Sequence, residues 1–172
     1  MRSVLLAAFV LAAPPAAFAA DDIAAVQALQ ARLLSQDSAT AVLEDWCAER
    51  HLAAPARIVA DLVLRADVPA SRGVRRLLHA GATERIRYRR VRLMCGAHVL
   101  SNTENWYLPA RLTPEMNRLL DETDTPFGKA VRPLAFHRTT LSAELLVRPG
   151  RARTTDPVAR NRATLATADG AP

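Results

Sequence analysis

The strongest fold signal in the sequence is a run of alternating side chains at residues 84–94, followed at once by the turn sequence Gly-Ala-His at 96–98. A period of two is that of a β-strand, whose successive side chains point to opposite faces. Residues 99–108 then predict the return strand of a hairpin. We expect this hairpin to lie at the centre of an antiparallel sheet.

Helical periodicity precedes and follows this hairpin. Apolar residues at spacings of three and four predict one amphipathic helix at 23–34 and a second helix capped by Ser38. The apolar stripe of the second helix consists of Val42, Leu43, Trp46 and Cys47. A short helix is predicted at 73–79, and Thr-Pro-Glu at 113–115 is typical of a helix start with a threonine cap.

Two further strands complete the expected sheet. Alternation at 58–64 predicts a strand whose buried face carries Ile58 and Leu62, against which the second helix should pack. A last strand is predicted at 139–147. This order predicts an α+β domain in which an antiparallel sheet of roughly four to six strands packs against the N-terminal helices.

The N-terminal residues 1–19 have the pattern of a cleavable signal peptide. Arg2 is the only charge before an apolar run too short to span a bilayer, and the segment ends in an Ala-Phe-Ala cleavage site. We therefore expect a periplasmic or secreted protein without membrane insertion, with one domain at 20–149. Residues 150–172 lack periodicity and predict a disordered tail.

The charge balance indicates anionic ligands. The chain has a formal net charge of +6, and every basic side chain except Lys129 is an arginine. Arginine binds carboxylates and phosphates through two parallel hydrogen bonds. Export and the interleaving of acids with the arginines argue against nucleic acid as the partner. The four histidines have no metal-ligand spacing, so we expect no metal.

Two cysteines, Cys47 and Cys95, are an even pair in a chain with an export signal. A disulfide is consistent with an oxidising compartment. Two separately buried thiols fit the sequence equally well, because each cysteine lies within an apolar pattern.

Arg90 is the candidate binding residue of the long strand. It shares a predicted strand face with Ile86, Tyr88 and Met94. A guanidinium in such apolar surroundings needs an anionic partner to offset its desolvation. An exposed strand edge, or an internal ion pair with Glu144, would explain the same pattern.

Three short segments, in this order and spacing, resemble a known family. They are Arg90-Val91-Arg92-Leu93-Met94-Cys95-Gly96 leading to Leu108-Pro109, Pro126-Phe127-Gly128, and Ala143-Glu144-Leu145-Leu146. Together they resemble the chorismate pyruvate-lyases, small cofactor-free enzymes with an antiparallel sheet covered by helices. The second segment is similar to the family's Pro-Leu-Gly turn, and the third to its terminal Thr-Glu-Leu-Phe strand.

The resemblance implies a pocket for a small anionic aromatic or enol-ether carboxylate. An active member releases pyruvate from chorismate and leaves 4-hydroxybenzoate. Arg90 would then bind the carboxylate, Glu144 would act as the catalytic residue at the hydroxyl group, and Phe127 and Trp106 would line the cavity. No cofactor is implied.

The chain also departs from the family pattern. Asn105 stands where the family usually carries an arginine, and the segment between Gly128 and Glu144 is shorter than in full lyases. A non-catalytic exported binding or interaction module on the same scaffold is therefore the alternative function. The sequence names no protein partner for such a module.

Overall fold

A computed structural model describes residues 20–147 and 157–168 of this 172-residue chain. The predicted signal peptide at 1–19 lies outside the described residues. So do 148–156 and 169–172 of the segment predicted to be a disordered tail.

The described residues form a mixed α+β structure, as the sequence predicts. The helices are α1 (Ala20–Ser35), α2 (Ala39–Glu49), α3 (Arg72–Leu77), α4 (Pro114–Glu122) and α5 (Phe127–Ala130). The strands are β1 (Ile58–Ala66), β2 (Arg87–Cys95), β3 (His98–Tyr107), β4 (His137–Leu145) and β5 (Ala159–Ala166). Single 3-10 turns lie at Pro109–Arg111 and Arg132–Leu134.

Side-chain caps begin two of the predicted helices. The Ser38 hydroxyl accepts a hydrogen bond from the backbone N–H of Ala41, and the Thr113 hydroxyl accepts one from the backbone N–H of Met116. Each bond satisfies a donor that the first turn of a helix leaves without a partner. Local sequence signals therefore fix where α2 and α4 start.

The described strands form two antiparallel sheets, one of three strands in the order β1-β2-β3 and one of two strands, β4-β5. The prediction of a single sheet was wrong in this respect. β4 pairs along its length with β5, a strand that lies within the predicted disordered tail. The disorder prediction was thus wrong for Ala159–Ala166, because the ladder to β4 orders a segment whose own sequence has little apolar pattern.

The β2–β3 turn needs the glycine that the sequence places there. Gly96 has a φ of +55°, a conformation that side chains with a Cβ rarely adopt. A Cβ on Gly96 would also lie 2.9 Å from the Cβ of Ala53. The tight hairpin therefore depends on this position, as predicted.

One face of the three-stranded sheet packs against α2. The core cluster on this face consists of Leu43, Cys47, Ile58, Ala60, Val91, Leu93 and Cys95. A disulfide joins Cys47 of α2 to Cys95 at the end of β2, with a Cα–Cα distance of 6.2 Å.

Of the two expected β1 contacts, Ile58 is buried but Leu62 is 44% exposed, so the predicted packing of Leu62 was wrong. The register of β1 against β2 shifts between Leu62 and Leu64, where the strand leaves the core.

Candidate functional site

A cavity of about 880 Å³ lies between β3 and β5. Trp106 and Phe127, two of the predicted pocket residues, both line it. Most of its remaining wall is apolar and includes Leu77, Leu108, Val131, Leu134, Phe136 and Leu141. Pockets of this size and apolar character are typical of small-molecule sites.

Aromatic pairs hold both predicted wall residues in place. The ring of Phe127 lies 5.3 Å from that of Tyr107, and the ring of Trp106 lies 4.6 Å from that of Tyr88. Tyr107 is buried, and burial raises the pKa of its hydroxyl. Tyr107 is therefore a neutral donor and acceptor in the wall of the cavity.

The other two predicted site residues lie elsewhere. Arg90 is exposed on the face of the sheet away from α2 and lines a separate depression of about 540 Å³. Glu144 is exposed on β4, where its carboxylate lies 3.7 Å from the guanidinium of Arg160. Neither residue lines the larger cavity. Trp106 and Phe127 thus line one cavity without Arg90 and Glu144. The depression at Arg90 has Leu62 and Val63 in its wall, but its other side chains are polar or charged.

The buried arginine of β2 is the neighbouring residue, Arg89. Its exposed fraction is 0%, and it is the largest fully buried side chain in the described part of the protein. Nη2 donates to the backbone carbonyl of Thr125 at 3.3 Å, whereas Nε and Nη1 have no hydrogen-bond partner there. Desolvation lowers the pKa of the guanidinium. A buried cation with unsatisfied donors is costly, and an anion between its two free N–H groups would offset that cost.

Two more unsatisfied polar groups lie beside Arg89. Asn105 is its direct cross-strand partner on β3, and the Oδ1 atom of Asn105 has no hydrogen-bond partner among the described residues. The Tyr107 hydroxyl lies near the guanidinium of Arg87 without a hydrogen bond of adequate geometry. Asn105 and Tyr107 both line the large cavity, whereas Arg89 itself does not. A set of unpaired donors and acceptors therefore extends from the buried face of β2 to the cavity wall.

The charges around Arg89 leave a positive surplus. Nη1 of Arg87 lies 2.7 Å from each carboxylate oxygen of Asp121, and Arg65 also contacts that carboxylate at 3.4 Å. Asp121 attracts Arg89 as well, while Arg65 repels it. Asp67, 3.7 Å from Arg87, is shared with Arg85. The single carboxylate of Asp121 thus lies near three guanidinium groups, those of Arg65, Arg87 and Arg89. The cluster therefore favours binding of a further anion.

A sequence signal for Arg89 does exist. Arg89 lies on the same face of β2 as every second residue after it, namely Val91, Leu93 and Cys95. The side chains of these three residues pack against α2. Sequence reasoning took the opposite parity as the pocket face because Ile86, Tyr88 and Met94 are apolar. Pairing Cys95 with Cys47 would have fixed the helix-covered face and placed Arg89 on it.

The described residues contain no group of three or more His, Cys, Asp or Glu side chains placed to hold a metal ion. None of the helices in the described ranges combines the length and the apolar character needed to cross a membrane.

Comparison with known proteins gives a relative but no function, because the relative is itself called uncharacterized. No family model matches the chain. The chain is 52% identical over 128 residues to the uncharacterized protein y4mC of Sinorhizobium fredii (strain NBRC 101917 / NGR234), a match that covers 74% of this chain and 54% of y4mC. The chain thus spans about half the length of the curated relative that it matches.

Proposed function

We propose that this protein binds a small aromatic or enol-ether carboxylate on a chorismate lyase-like scaffold, with Arg89 rather than Arg90 as the carboxylate-binding residue. The observation that carries the proposal is the complete burial of Arg89 with two nitrogens unpaired. Native proteins rarely leave buried donors unsatisfied, and exceptions concentrate at functional sites.

The surroundings of Arg89 match the chemistry of such a ligand. The guanidinium supplies a planar pair of donors for the carboxylate. Asn105 Oδ1 accepts a hydrogen bond from a ligand hydroxyl, and the Tyr107 hydroxyl can donate or accept one. The ring of Phe127, packed on Tyr107, provides an apolar wall for an unsaturated ring, and Trp106 lines the same cavity from the other face of β3.

Binding is better supported than release of pyruvate. Elimination from an enol ether needs an acid beside the leaving oxygen. Glu144 is exposed on β4. Glu104, the one carboxylate among the described residues that line the cavity, is the cross-strand partner of Arg90 and so lies on the face of the sheet opposite to Arg89. We therefore place a ligand-binding module ahead of an active lyase. The signal-like N-terminus adds the proposal that this module acts outside the cytoplasm.

The test is calorimetric titration of the protein with 4-hydroxybenzoate. Replacing Arg89 with Met should weaken binding at least tenfold, because a charge-assisted bidentate contact contributes about 1.5–3 kcal/mol. Arg90→Met is the matched control, since it removes the same charge one residue away on the exposed face. It should change the affinity less than twofold.

Two results would count against this assignment. Equal losses in the two variants would mean that general charge, and not the buried guanidinium, attracts the ligand. No binding to the wild-type protein would remove the small-carboxylate proposal itself. A parallel assay of pyruvate release from chorismate separates binding from turnover, and activity lost on Glu144→Gln would restore Glu144 as a catalytic residue.

A further inference from the structure

The large cavity borders two strands along their edges. Its lining includes every residue from 103 to 108, which covers the second half of β3 and the residue after it. It also includes every residue from 160 to 167, which covers nearly all of β5 and the residue after it. Side chains of a strand alternate between two faces, so a cavity that lay against one face would meet only every second residue. Contact with each successive residue means that the backbone edge of each strand faces the cavity.

These two edges have no ladder partner in the described part of the chain. β3 pairs with β2 alone, and β5 pairs with β4 alone. An unpaired strand edge presents a row of free N–H and C=O groups, which makes it a template for another strand. Here two such edges face one space, so a strand placed between them could pair with either or both.

The side chains around this space define what kind of strand would fit. Arg160 and Arg162 are two residues apart on β5 and both exposed, so they lie on one side of the strand. With Arg111 they give the lining three guanidinium groups and one carboxylate, Glu104. Two of the three already form ion pairs with carboxylates outside the lining, at 3.7 Å for Arg160 and 3.4 Å for Arg111, but such surface pairs are weak and Arg162 has none among the described residues. Most of the other lining side chains are apolar. A strand with acidic residues on one face and apolar residues on the other would complement both.

We propose that the cavity between β3 and β5 receives an extended segment of a partner polypeptide whose side chains alternate between apolar and acidic. This inference goes beyond the proposed function. A single-ring acid fills only part of a space of about 880 Å³, since pockets of about 300–1,000 Å³ hold drug-sized ligands. The added strand would occupy the remainder.

The experiment uses the full chain and a blocked nine-residue peptide of alternating valine and glutamate. We expect this peptide to bind at least tenfold more tightly than a matched peptide of alternating valine and lysine. Amide hydrogen exchange of β3 and β5 should slow at least tenfold on binding, because edge N–H groups gain partners. Exchange at β1, the other edge of the three-stranded sheet, should stay unchanged.

Two double variants test the charge argument. Arg160→Glu with Arg162→Glu should reverse the preference toward the lysine peptide. Arg90→Glu with Arg92→Glu makes the same change in charge on the exposed sheet face, outside this cavity, and should leave the preference intact.

Several outcomes would overturn the proposal. Equal affinity for both peptides would show that the partner segment need not be acidic. Slowed exchange at β1 would place the binding site at the opposite edge of the three-stranded sheet. Slowed exchange of β3 and β5 that depends on protein concentration without peptide would make a second copy the occupant. Titration with 4-hydroxybenzoate reports on Arg89 independently, so failure of one proposal is distinguishable from failure of the other.

Discussion

At the scale of single residues, the adjacent Arg89 and Arg90 show how much depends on strand parity. Both are arginines, and they are adjacent in sequence. Arg89 points to the face covered by α2 and is fully buried, whereas Arg90 points away and is exposed. Burial, and not residue type, makes Arg89 the candidate anion-binding residue.

The energetic cost of Arg89 leads to a stability prediction. Arg89→Met replaces a buried cation with an apolar side chain of similar length, and removes two unsatisfied donors from the core. We expect the free energy of unfolding in the absence of ligand to rise by about 1–2 kcal/mol. Urea unfolding followed by far-UV circular dichroism measures this change.

Arg90→Met again serves as the control and should change the stability by less than about 0.5 kcal/mol. A loss of stability in Arg89→Met would mean that the bond to the Thr125 carbonyl outweighs the desolvation of the guanidinium. The buried arginine would then be a structural element of the fold and not a group held ready for a ligand.

Local chemistry at single residues was predictable, but the site was not. Ser38, Thr113 and Gly96 act through their own backbone and the next turn, so their roles follow from sequence alone. The position of Arg89 depends on which face α2 covers, a contact between residues 48 positions apart at the disulfide. Sequence periodicity gives two faces of a strand but does not say which face is buried.

At the scale of elements, the Cys47–Cys95 disulfide fastens α2 to the central strand of the larger sheet. Both cysteines have an exposed fraction of 0% within the core cluster. The sequence left a disulfide and two free thiols as alternatives, and the structure contains the disulfide.

Removing this bond should lower the stability strongly. Replacing both cysteines with Ala should reduce the free energy of unfolding by roughly 4 kcal/mol, because a cross-link spanning 48 residues restricts the unfolded chain. Denaturant unfolding measures the loss, and mass spectrometry of unreduced protein tests the bond itself. Two free thiols in oxidised wild-type protein would contradict the structure.

A second contact between elements makes the stability depend on pH. The backbone N–H of Arg138, in β4, donates to the carboxylate of Asp37, between α1 and α2, at 2.8 Å. This bond, and secondarily the nearby His137, lower the pKa of Asp37. A carboxyl group with a lower pKa in the folded state stabilises the protein above its unfolded pKa, and the contribution is lost as the pH falls through the folded value.

Asp37→Ala should therefore melt at a lower temperature than wild type at pH 6, and the difference should shrink as the pH falls to about 3. Thermal melts at the two pH values measure it. Asp37→Asn keeps an oxygen acceptor without the charge, so at pH 6 its melting temperature should lie between those of wild type and Asp37→Ala. A difference that stays constant over this range would show that ionisation of Asp37 does not contribute.

Most individual elements were predictable, whereas their assembly into sheets was not. The helices α1, α2 and α4 and the hairpin β2–β3 follow from periodicity, caps and a turn glycine. β5 has no comparable pattern and is ordered by its ladder with β4. Missing β5 led to one expected sheet, because β4 then had no partner other than the hairpin.

At the scale of the whole molecule, the core is unevenly distributed. The three-stranded sheet has a covered face, a helix and a disulfide, whereas all but one residue of β4 are exposed. Isolated two-stranded sheets are marginally stable in water. Contacts to α1 hold the smaller sheet, including a pair of amide hydrogen bonds between Gln30 and Asn161 and a bond from Arg138 to the Leu33 carbonyl.

This asymmetry predicts two levels of stability within one chain. Native-state hydrogen exchange should give opening free energies for β4 and β5 at least roughly 2 kcal/mol below those of β2, since opening the smaller sheet exposes little apolar surface. Asn161→Ala removes the amide pair with Gln30 and should lower the opening free energy of β4 and β5 further, while β2 keeps its value. Equal protection in the two sheets would mean that they unfold as one cooperative unit. Binding of the valine–glutamate peptide should raise the opening free energy of β5 to that of β3. The two sheets would then open as one unit, as expected for a segment that pairs with both edges.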